Sequence, residues 1–216
     1  MKSVKKILIT SGPTRAPLDD VRYLTNHSTG TFGTALTEEA LKSGAKVTLI
    51  YGVGSKTPPP QKNLTLISIV TNEDLAAVLQ QQLTSQHFDW VIHAMAVLDF
   101  APDKKTAGKT KTKEGAWEIR LVPTPKIINR IKEWSPKSKL VGFKLEVGVD
   151  RETLLASARQ LLRDARADYV LANPLTEGDD NLHEGLLLDT KGEVIGLALG
   201  KQKLARLIFS LPEKEK

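Results

Sequence analysis

The chain has 216 residues, of which 40% are hydrophobic and 26% charged, a size and balance typical of one α/β domain. It contains no cysteine, which excludes disulfides, thiolate metal sites and a cysteine nucleophile, and fits a reducing compartment. The formal net charge of +6 permits an anionic ligand. We therefore expect a single domain over residues 1–216.

No apolar run reaches the length of a membrane span, and no signal-peptide apolar region precedes the first strand. A cytoplasmic protein without a membrane partner is expected. Much of the positive charge lies in one stretch, at Lys104, Lys105, Lys109, Lys111 and Lys113. Only 5% of the residues are aromatic, so stacking platforms for single strands are scarce and no nucleic acid partner is expected. A solvated lysine loop is the simpler interpretation.

Strand and helix patterns alternate along most of the chain. Short apolar runs predict strands at residues 6–10, 46–52, 64–70, 89–94, 139–146 and 168–173. Helices are predicted at 30–43, after Thr71, where acidic residues mark the first turn, and at 150–167. This alternation predicts a Rossmann-like parallel sheet with helices on both faces.

Two regions interrupt the alternation. The lysine-rich stretch from residue 99 to 115 predicts a flexible flap at about 101–116, because long loops in small domains are usually functional or disordered. The period-two pattern of residues 117–122 predicts a strand outside the parallel succession. Residues 186–189 and 194–199 predict a terminal hairpin, followed by a last helix.

The segment from Asn26 to Gly33 precedes the first predicted helix and has the features of an anion site. Free N–H groups at a helix start favour a phosphate, and Ser28 and Thr29 add hydroxyl donors. Glycine at positions 30 and 33 would allow a phosphate to approach the backbone and the helix to pack close to the sheet. The alternative is an ordinary glycine-containing helix start with Ser28 as N-cap.

The four histidines, at positions 27, 87, 93 and 183, show no metal-binding spacing. No metal site formed by protein ligands is therefore predicted. His93 falls within an apolar strand, so a core position with a satisfied hydrogen bond is expected.

Seven ordered motifs together resemble phosphopantothenate-cysteine ligase. In one-letter code they are GPTR at 12–15, VRYLTNHSTG at 21–30, AMAVLDF at 94–100, KTK at 109–111, LVPTPKI at 121–127, GFKLE at 142–146 and AN at 172–173. The resemblance implies a ligase of coenzyme A synthesis. In this family a nucleoside triphosphate, CTP or ATP with Mg²⁺, activates the carboxylate of 4'-phosphopantothenate as an acyl-nucleotide and releases pyrophosphate. The cysteine amine then attacks and releases the nucleoside monophosphate.

The resemblance also implies a nucleotide site. Gly12, Ser28, Gly30 and Gly33 would hold the phosphates and ribose. Lys109 matches a flap lysine that neutralises the α-phosphate, and Lys111 is its nearest competitor for that role. The remaining nucleotide-site residues would surround the base: Thr124, Pro125, Lys126, Ile127, Phe143 and Asn173.

A second set of residues would bind 4'-phosphopantothenate. Asn26 would hold it and handle the acyl intermediate, so that Asn26 and Lys109 are the expected catalytic residues. Met95 and Ala96 would lie beside the acyl acceptor, and Asp99 would face both the nucleotide and 4'-phosphopantothenate. Arg22 resembles an arginine that reaches the neighbouring subunit's phosphate, which implies a homodimer.

Several positions depart from the family pattern and leave the nucleotide open. Met95 replaces a smaller alanine, Lys126 stands where bacterial members commonly have aspartate, and Leu161 and Ala165 replace lysines of the CTP users. CTP is favoured over ATP because the chain is short, as in bacterial members. Since the chain begins at the ligase strand, no decarboxylase activity is expected.

Besides a non-catalytic basic module that binds nucleic acid, which only the net charge supports, two alternatives to an active ligase stay open at this point. The first is a nucleotide- or flavin-binding oxidoreductase, although no acidic residue ends the second predicted strand to bind a ribose. The second is a catalytically altered ligase homologue.

Overall fold

The computed structural model describes residues 4–175 and 184–211, whose strands and helices alternate much as expected. The strands are β1 Lys6–Ser11, β2 Arg15–Pro17, β3 Tyr23–Thr25, β4 Lys46–Gly52, β5 Leu64–Ile69, β6 Trp90–His93, β7 Phe100–Pro102, β8 Leu121–Pro123, β9 Lys139–Val147, β10 Tyr169–Leu175, β11 Glu184–Leu188 and β12 Val194–Leu199. The helices are α1 Thr31–Lys42, α2 Asn72–Ser85, α3 Ile128–Trp134, α4 Arg151–Asp164 and α5 Lys201–Phe209, with a short 3₁₀ turn at Thr112–Glu114.

Eight of these strands form one sheet in the order β12-β11-β10-β9-β6-β1-β4-β5. The six strands from β5 to β10 in this order are parallel, whereas β11 and β12 are antiparallel and form the predicted terminal hairpin. The order of the parallel strands is that of a Rossmann fold, which confirms the predicted fold class.

Helices cover both faces of the sheet. Leu8 of β1 packs in one core cluster with side chains of α2, α3 and α4. Its neighbours Ile7 and Ile9 pack in a second cluster with α1 and α5. Strand side chains point alternately to the two faces, so one apolar run supplies both cores.

Two small antiparallel pairs lie outside the main sheet and were largely missed by the sequence pattern. β2 pairs with β3, and β7 pairs with β8. The predicted strand at 117–122 was mostly wrong, because only Leu121–Pro123 is paired, against Phe100–Pro102. Proline has no N–H, so Pro102 and Pro123 keep this ladder short. Period two alone does not supply a partner strand.

The helix starts show which local signals were sufficient. Thr71 caps α2: its side chain accepts from Asp74 N, and the Asp74 carboxylate accepts from Thr71 N, as the acidic first turn predicted. The suggested Ser28 cap of α1 was wrong, because Gly30 is the N-cap, with φ 75° and no side-chain cap bond. That left-handed conformation suits glycine and moves the helix start past Ser28.

The predicted helix at 150–167 ends earlier than expected, at Asp164, and is followed by Arg166 with φ 51°. Helix α3, which has only seven residues, was not predicted. In the ranges that the structure describes, no helix combines the length and apolar character needed to cross a membrane.

Candidate functional site

The candidate site lies where the strand order reverses, at the carboxyl ends of β1 and β6. The chain leaving β1 leads to α1 on one face, and the chain leaving β6 leads to α3 on the other. Just past the strands, Ala96 N donates to Gly12 O at 2.8 Å, and Pro13 and Ala96 form an isolated parallel β-bridge. Ligands of open α/β sheets bind in the crevice at such a reversal.

A cavity of about 200 Å³ opens beside this crevice. It is lined by Leu24, Thr25, Asn26, Val97, Leu98, Asp99 and Phe100. Asn26 Nδ2 donates to the backbone oxygens of Ala96 and Val97, both at 3.2 Å. Among the described residues nothing donates to Asn26 Oδ1, so this oxygen can accept from a ligand.

The glycines of the predicted anion site allow three chain segments to pack closely. A Cβ on Gly33 would lie 1.9 Å from Ser11 Oγ, so α1 approaches β1 only because position 33 has no side chain. A Cβ on Gly12 or Gly30 would instead meet Ser55, at 1.8 Å from Oγ and 2.8 Å from Cβ respectively. The loop after β4 therefore occupies the space beside both glycines.

The first turn of α1 still presents backbone N–H groups that have no partner within the helix. Their dipole favours an anion at this end. Ser28, half-buried in the preceding loop, and the exposed Thr29 lie next to it. Part of the predicted donor set is already engaged, because Thr31 N donates to Thr29 Oγ1 at 3.4 Å and the Thr29 and Thr31 hydroxyls lie 2.7 Å apart.

Asp99 and the segment from Thr124 to Lys126 come together at the rim of the cavity. Lys126 Nζ lies 2.5 Å from Asp99 Oδ1, and both side chains are more than half exposed. Thr124 donates two hydrogen bonds to the segment after β6, from its N to Asp99 O at 2.9 Å and from its Oγ1 to Leu98 O at 2.5 Å. The lysine that departs from the family pattern therefore forms an ion pair with the carboxylate expected to face the substrates.

Other predicted site residues lie on the same edge of the sheet, but their side chains point elsewhere. Met95 and Ile127 are buried in the core and do not line the cavity. Half-buried Phe143 packs edge-to-face on Phe32 of α1, with ring centroids 5.5 Å apart. Asn173 donates to Glu184 O at 2.9 Å and so ties β10 to β11.

The remaining positions that depart from the family pattern lie in or beside the core. Ala165 is fully buried, and Leu161 packs against the same cluster on the α4 side of the sheet. Pro125 is exposed next to Lys126.

Arg22 and Lys109 lie on two loops that contact each other. Arg22 Nη1 bonds to Asp19 Oδ2 at 2.8 Å, and its guanidinium lies 5.3 Å from the centroid of the Trp117 ring. Lys109 is exposed, and its ammonium pairs with no group in the described parts of the chain. The two residues are thus held very differently.

His93 lies at the end of β6 with its imidazole in the core, as expected. His93 Nδ1 is 2.9 Å from Thr10 Oγ1, and burial lowers the pKa of the imidazole to about 4. A neutral ring is therefore maintained next to the crevice. Of the other histidines, His183 lies outside the described residues.

Over residues 4–175 and 184–211, no group of three or more His, Cys, Asp or Glu side chains could hold a metal ion. Asp99 is the carboxylate that lines the cavity. Mg²⁺ is commonly held by one or two carboxylates together with substrate phosphates.

Sequence reasoning missed the residues that support the predicted ones. Ser55 fills the space beside Gly12 and Gly30, and Asp19 and Asp20 bind the flap. The glycine pair flanking Val53 marks a turn after β4, and Asp19-Asp20 marks a loop, so turn signals were present in both cases. Neither signal tells which distant segment the loop contacts.

Comparisons with known proteins identify the family of this chain. The family model described as the DNA/pantothenate metabolism flavoprotein C-terminal domain matches residues 2–213. The chain is 40% identical over 210 residues to the coenzyme A biosynthesis bifunctional protein CoaBC of Thermococcus kodakarensis, covering 97% of this chain and 51% of that protein. The chain thus spans about half the length of the curated relatives it matches.

Two crystal structures are also similar to this chain at 32% identity. The DNA/pantothenate metabolism flavoprotein from Streptococcus pneumoniae gives a TM-score of 0.87, with 95% of this chain and 97% of that chain covered. The C-terminal domain of CoaBC gives a TM-score of 0.73, with 95% and 92% covered.

Proposed function

The chain belongs to the family described as the DNA/pantothenate metabolism flavoprotein C-terminal domain, and we propose that it is a ligase of coenzyme A biosynthesis. The proposed reaction joins 4'-phosphopantothenate to cysteine at the expense of a nucleoside triphosphate. The observation that carries the proposal is the Asn26 amide, bound to Ala96 O and Val97 O at the wall of a cavity at the sheet reversal.

In the first step, a carboxylate oxygen of 4'-phosphopantothenate attacks the α-phosphorus of the nucleotide and pyrophosphate leaves. Both reactants are anionic, so positive groups and N–H donors are needed to hold them together. The α1 start offers N–H donors, Asn26 Oδ1 offers an acceptor to the pantothenate, and Lys109 supplies a cation to the α-phosphate.

In the second step, the cysteine nitrogen attacks the acyl carbon, the nucleoside monophosphate leaves and the nitrogen loses a proton. The amide bond replaces the acyl-phosphate bond. Holding the amine beside the acyl group makes this step effectively intramolecular. Asn26 is the proposed contact to the acyl intermediate because it lines the cavity.

Mg²⁺ bound to the nucleotide would shield the phosphate charge. CTP is the proposed nucleotide and ATP its competitor, because Leu161 and Ala165 are apolar where CTP users in the family carry lysines. A cytoplasmic location fits substrates of this kind.

A homodimer belongs to the same proposal. The side chain of Arg22 is 39% exposed, so its guanidinium keeps a free surface despite the bond to Asp19. In a dimer this surface would contact the phosphate of a substrate bound to the neighbouring subunit.

The test is pyrophosphate release by the purified protein with Mg²⁺, 4'-phosphopantothenate, cysteine and either CTP or ATP. Controls omit each substrate in turn, and mass spectrometry identifies the product. Release that requires 4'-phosphopantothenate and one nucleotide, with the amide product formed, supports the proposal. No release from folded protein with either nucleotide would contradict it and favour a catalytically altered homologue.

A further inference from the structure

The lysine-rich segment is bound to the loop that connects β2 and β3. The part of the flap that makes this contact is residues 105–110, and we call residues 18–22 the hairpin loop. Their backbones exchange hydrogen bonds, from Thr106 N to Leu18 O at 2.9 Å and from Asp20 N to Gly108 O at 3.0 Å. Each carboxylate of the hairpin loop adds a bond to a backbone N–H of the flap.

Asp19 is the buried centre of this contact. Its carboxylate is fully enclosed and accepts from Val21 N at 2.8 Å, Arg22 N at 2.7 Å and Thr110 N at 3.2 Å. Burial acts to raise the pKa of Asp19, but these N–H donors and the Arg22 guanidinium outweigh it and lower the pKa. The carboxylate is therefore ionised at neutral pH and holds both loops at once.

Asp20 forms the exposed half of the contact. Asp20 Oδ2 accepts from Gly108 N at 2.9 Å, and Asp20 Oδ1 pairs with Lys105 Nζ at 2.5 Å. The Lys105 ammonium and the Gly108 N–H lower the pKa of Asp20. Because more than half of the Asp20 side chain is solvent-exposed, a substitution there does not disturb a core.

Lys109 lies between the two flap residues that these carboxylates bind. Gly108 is held by Asp20 and Thr110 by Asp19, so the backbone of Lys109 is restrained on both sides while its side chain extends into solvent. Lys111 has such a bound neighbour on one side only, since a 3₁₀ turn begins after it. This difference favours Lys109 over Lys111 as the positioned lysine.

We propose that Asp19 and Asp20 are positioning residues. Their carboxylates hold the flap against the hairpin loop, a contact that we call the latch, and so fix the position of the Lys109 ammonium. The inference rests on the proposed function for its catalytic meaning, but the latch itself is a property of the fold. Charge-assisted hydrogen bonds are stronger than neutral ones, so two carboxylates suffice to order a short segment.

The first experiment measures the latch without activity. Trypsin cleavage after Lys109 and Lys111 is followed by mass spectrometry in the wild type, Asp20→Ala and the control Glu118→Ala. Glu118 is an exposed carboxylate just beyond the flap, so the control has the same change in charge. We expect cleavage about tenfold faster in Asp20→Ala only, because the carboxylate's contacts with Gly108 N and Lys105 Nζ are both lost. Equal cleavage in all three proteins would overturn the latch.

The second experiment measures positioning. We expect Asp20→Ala to lower kcat severalfold with little change in KM for any of the three substrates, and Asp20→Glu to restore part of the loss. In a Lys109→Gln background, Asp20→Ala should have no further effect, because the latch acts through that ammonium. An equal loss in both backgrounds, or faster cleavage with unchanged kcat, would overturn the positioning role.

The two experiments separate this inference from the proposed function. If wild-type protein releases no pyrophosphate with either nucleotide, the proposed function fails and the positioning role fails with it. The proteolysis comparison then still decides whether Asp20 latches the flap.

Discussion

His93 shows how one buried side chain makes stability depend on pH. The imidazole is 6% exposed and hydrogen-bonded to Thr10 Oγ1. Its pKa is lowered from 6.5 to about 4 by burial, so the folded protein resists the proton that the unfolded chain binds readily. Stability conferred by the neutral ring is complete above pH 6.5 and is lost as the pH falls toward 4.

We predict a loss of about 3 kcal/mol from this group between pH 7 and pH 4, from the size of the pKa shift. Replacing His93 by Asn keeps a polar partner for Thr10 and removes the titration. Urea unfolding at pH 7 and pH 4 should show a smaller decline in the free energy of unfolding for His93→Asn than for the wild type. Parallel declines would mean that His93 is not the group responsible.

Lys109 is an exposed side chain on a bound segment, so its replacement should leave the fold unchanged. We predict that Lys109→Gln lowers kcat by roughly 100-fold, the usual loss when one group that stabilises transition-state charge is removed. The urea midpoint should be unchanged. Lys113→Gln is the matched control, with the same change in charge on the same loop.

The competing lysine provides the decisive comparison for this prediction. If Lys111→Gln loses turnover and Lys109→Gln does not, the catalytic ammonium must be assigned to Lys111. The argument from the two bound neighbours of Lys109 would then fail with it.

At the scale of elements, the packing of α1 on β1 depends on Gly33. In a helix, Gly→Ala alone stabilises by about 1 kcal/mol. At position 33 the added Cβ would lie 1.9 Å from Ser11 Oγ and 3.3 Å from the Ser11 Cα, so the helix would have to move. Packing therefore predicts that Gly33→Ala lowers the free energy of unfolding, whereas helix propensity predicts that it raises it.

We predict that Gly33→Ala destabilises the protein by about 1–3 kcal/mol, the usual cost of overpacking. The free energy of unfolding, measured in urea, shows whether the substitution destabilises or stabilises the protein. The double variant with Ser11→Gly should recover part of the loss, because it removes the clashing side chain. A stabilised single variant would show that α1 can shift at little cost.

At the scale of the whole molecule, the proposed homodimer makes a prediction about subunits. If Arg22 contacts the substrate of the neighbouring subunit, each site combines Lys109 of one subunit with Arg22 of the other. Arg22→Ala and Lys109→Gln then remove groups that different subunits contribute to the same site. Co-expression of the two inactive proteins would then create one intact site in each mixed dimer. We expect recovery to about a quarter of wild-type turnover by random pairing.

Sedimentation measures whether dimers form, and differently tagged subunits isolate the mixed dimers. Arg22 also bonds to Asp19 beside its own flap. If mixed dimers stay inactive, Arg22 acts within its own chain, and its role is to support that flap.

Local signals in the sequence were sufficient for much of the fold. The apolar runs predicted the strands from β1 to β10 that pair in parallel, and Thr71 with its acidic neighbours predicted the start of α2. These succeeded because burial on both faces demands continuous apolar strands, and a cap forms between residues three apart. The ordered motifs likewise led to the family.

The same signals failed where a contact joins residues distant along the chain. Nothing in residues 117–122 tells which part of them finds a partner strand, and only the last two join β8. Ser28 has the composition of a cap, yet the left-handed Gly30 moves the helix start beyond it. Propensity is a weak guide when tertiary packing decides.

The sequence by itself determined the parallel strands of the main sheet, most of the helices that alternate with them, and the motifs that led to the family. The tertiary structure decided that Ser55 lies against Gly12 and Gly30, and that Asp19 and Asp20 bind the flap on either side of Lys109. The physical reason is range: periodicity and caps arise within a few residues, whereas the flap and the hairpin loop are about ninety residues apart and meet only once the sheet has formed.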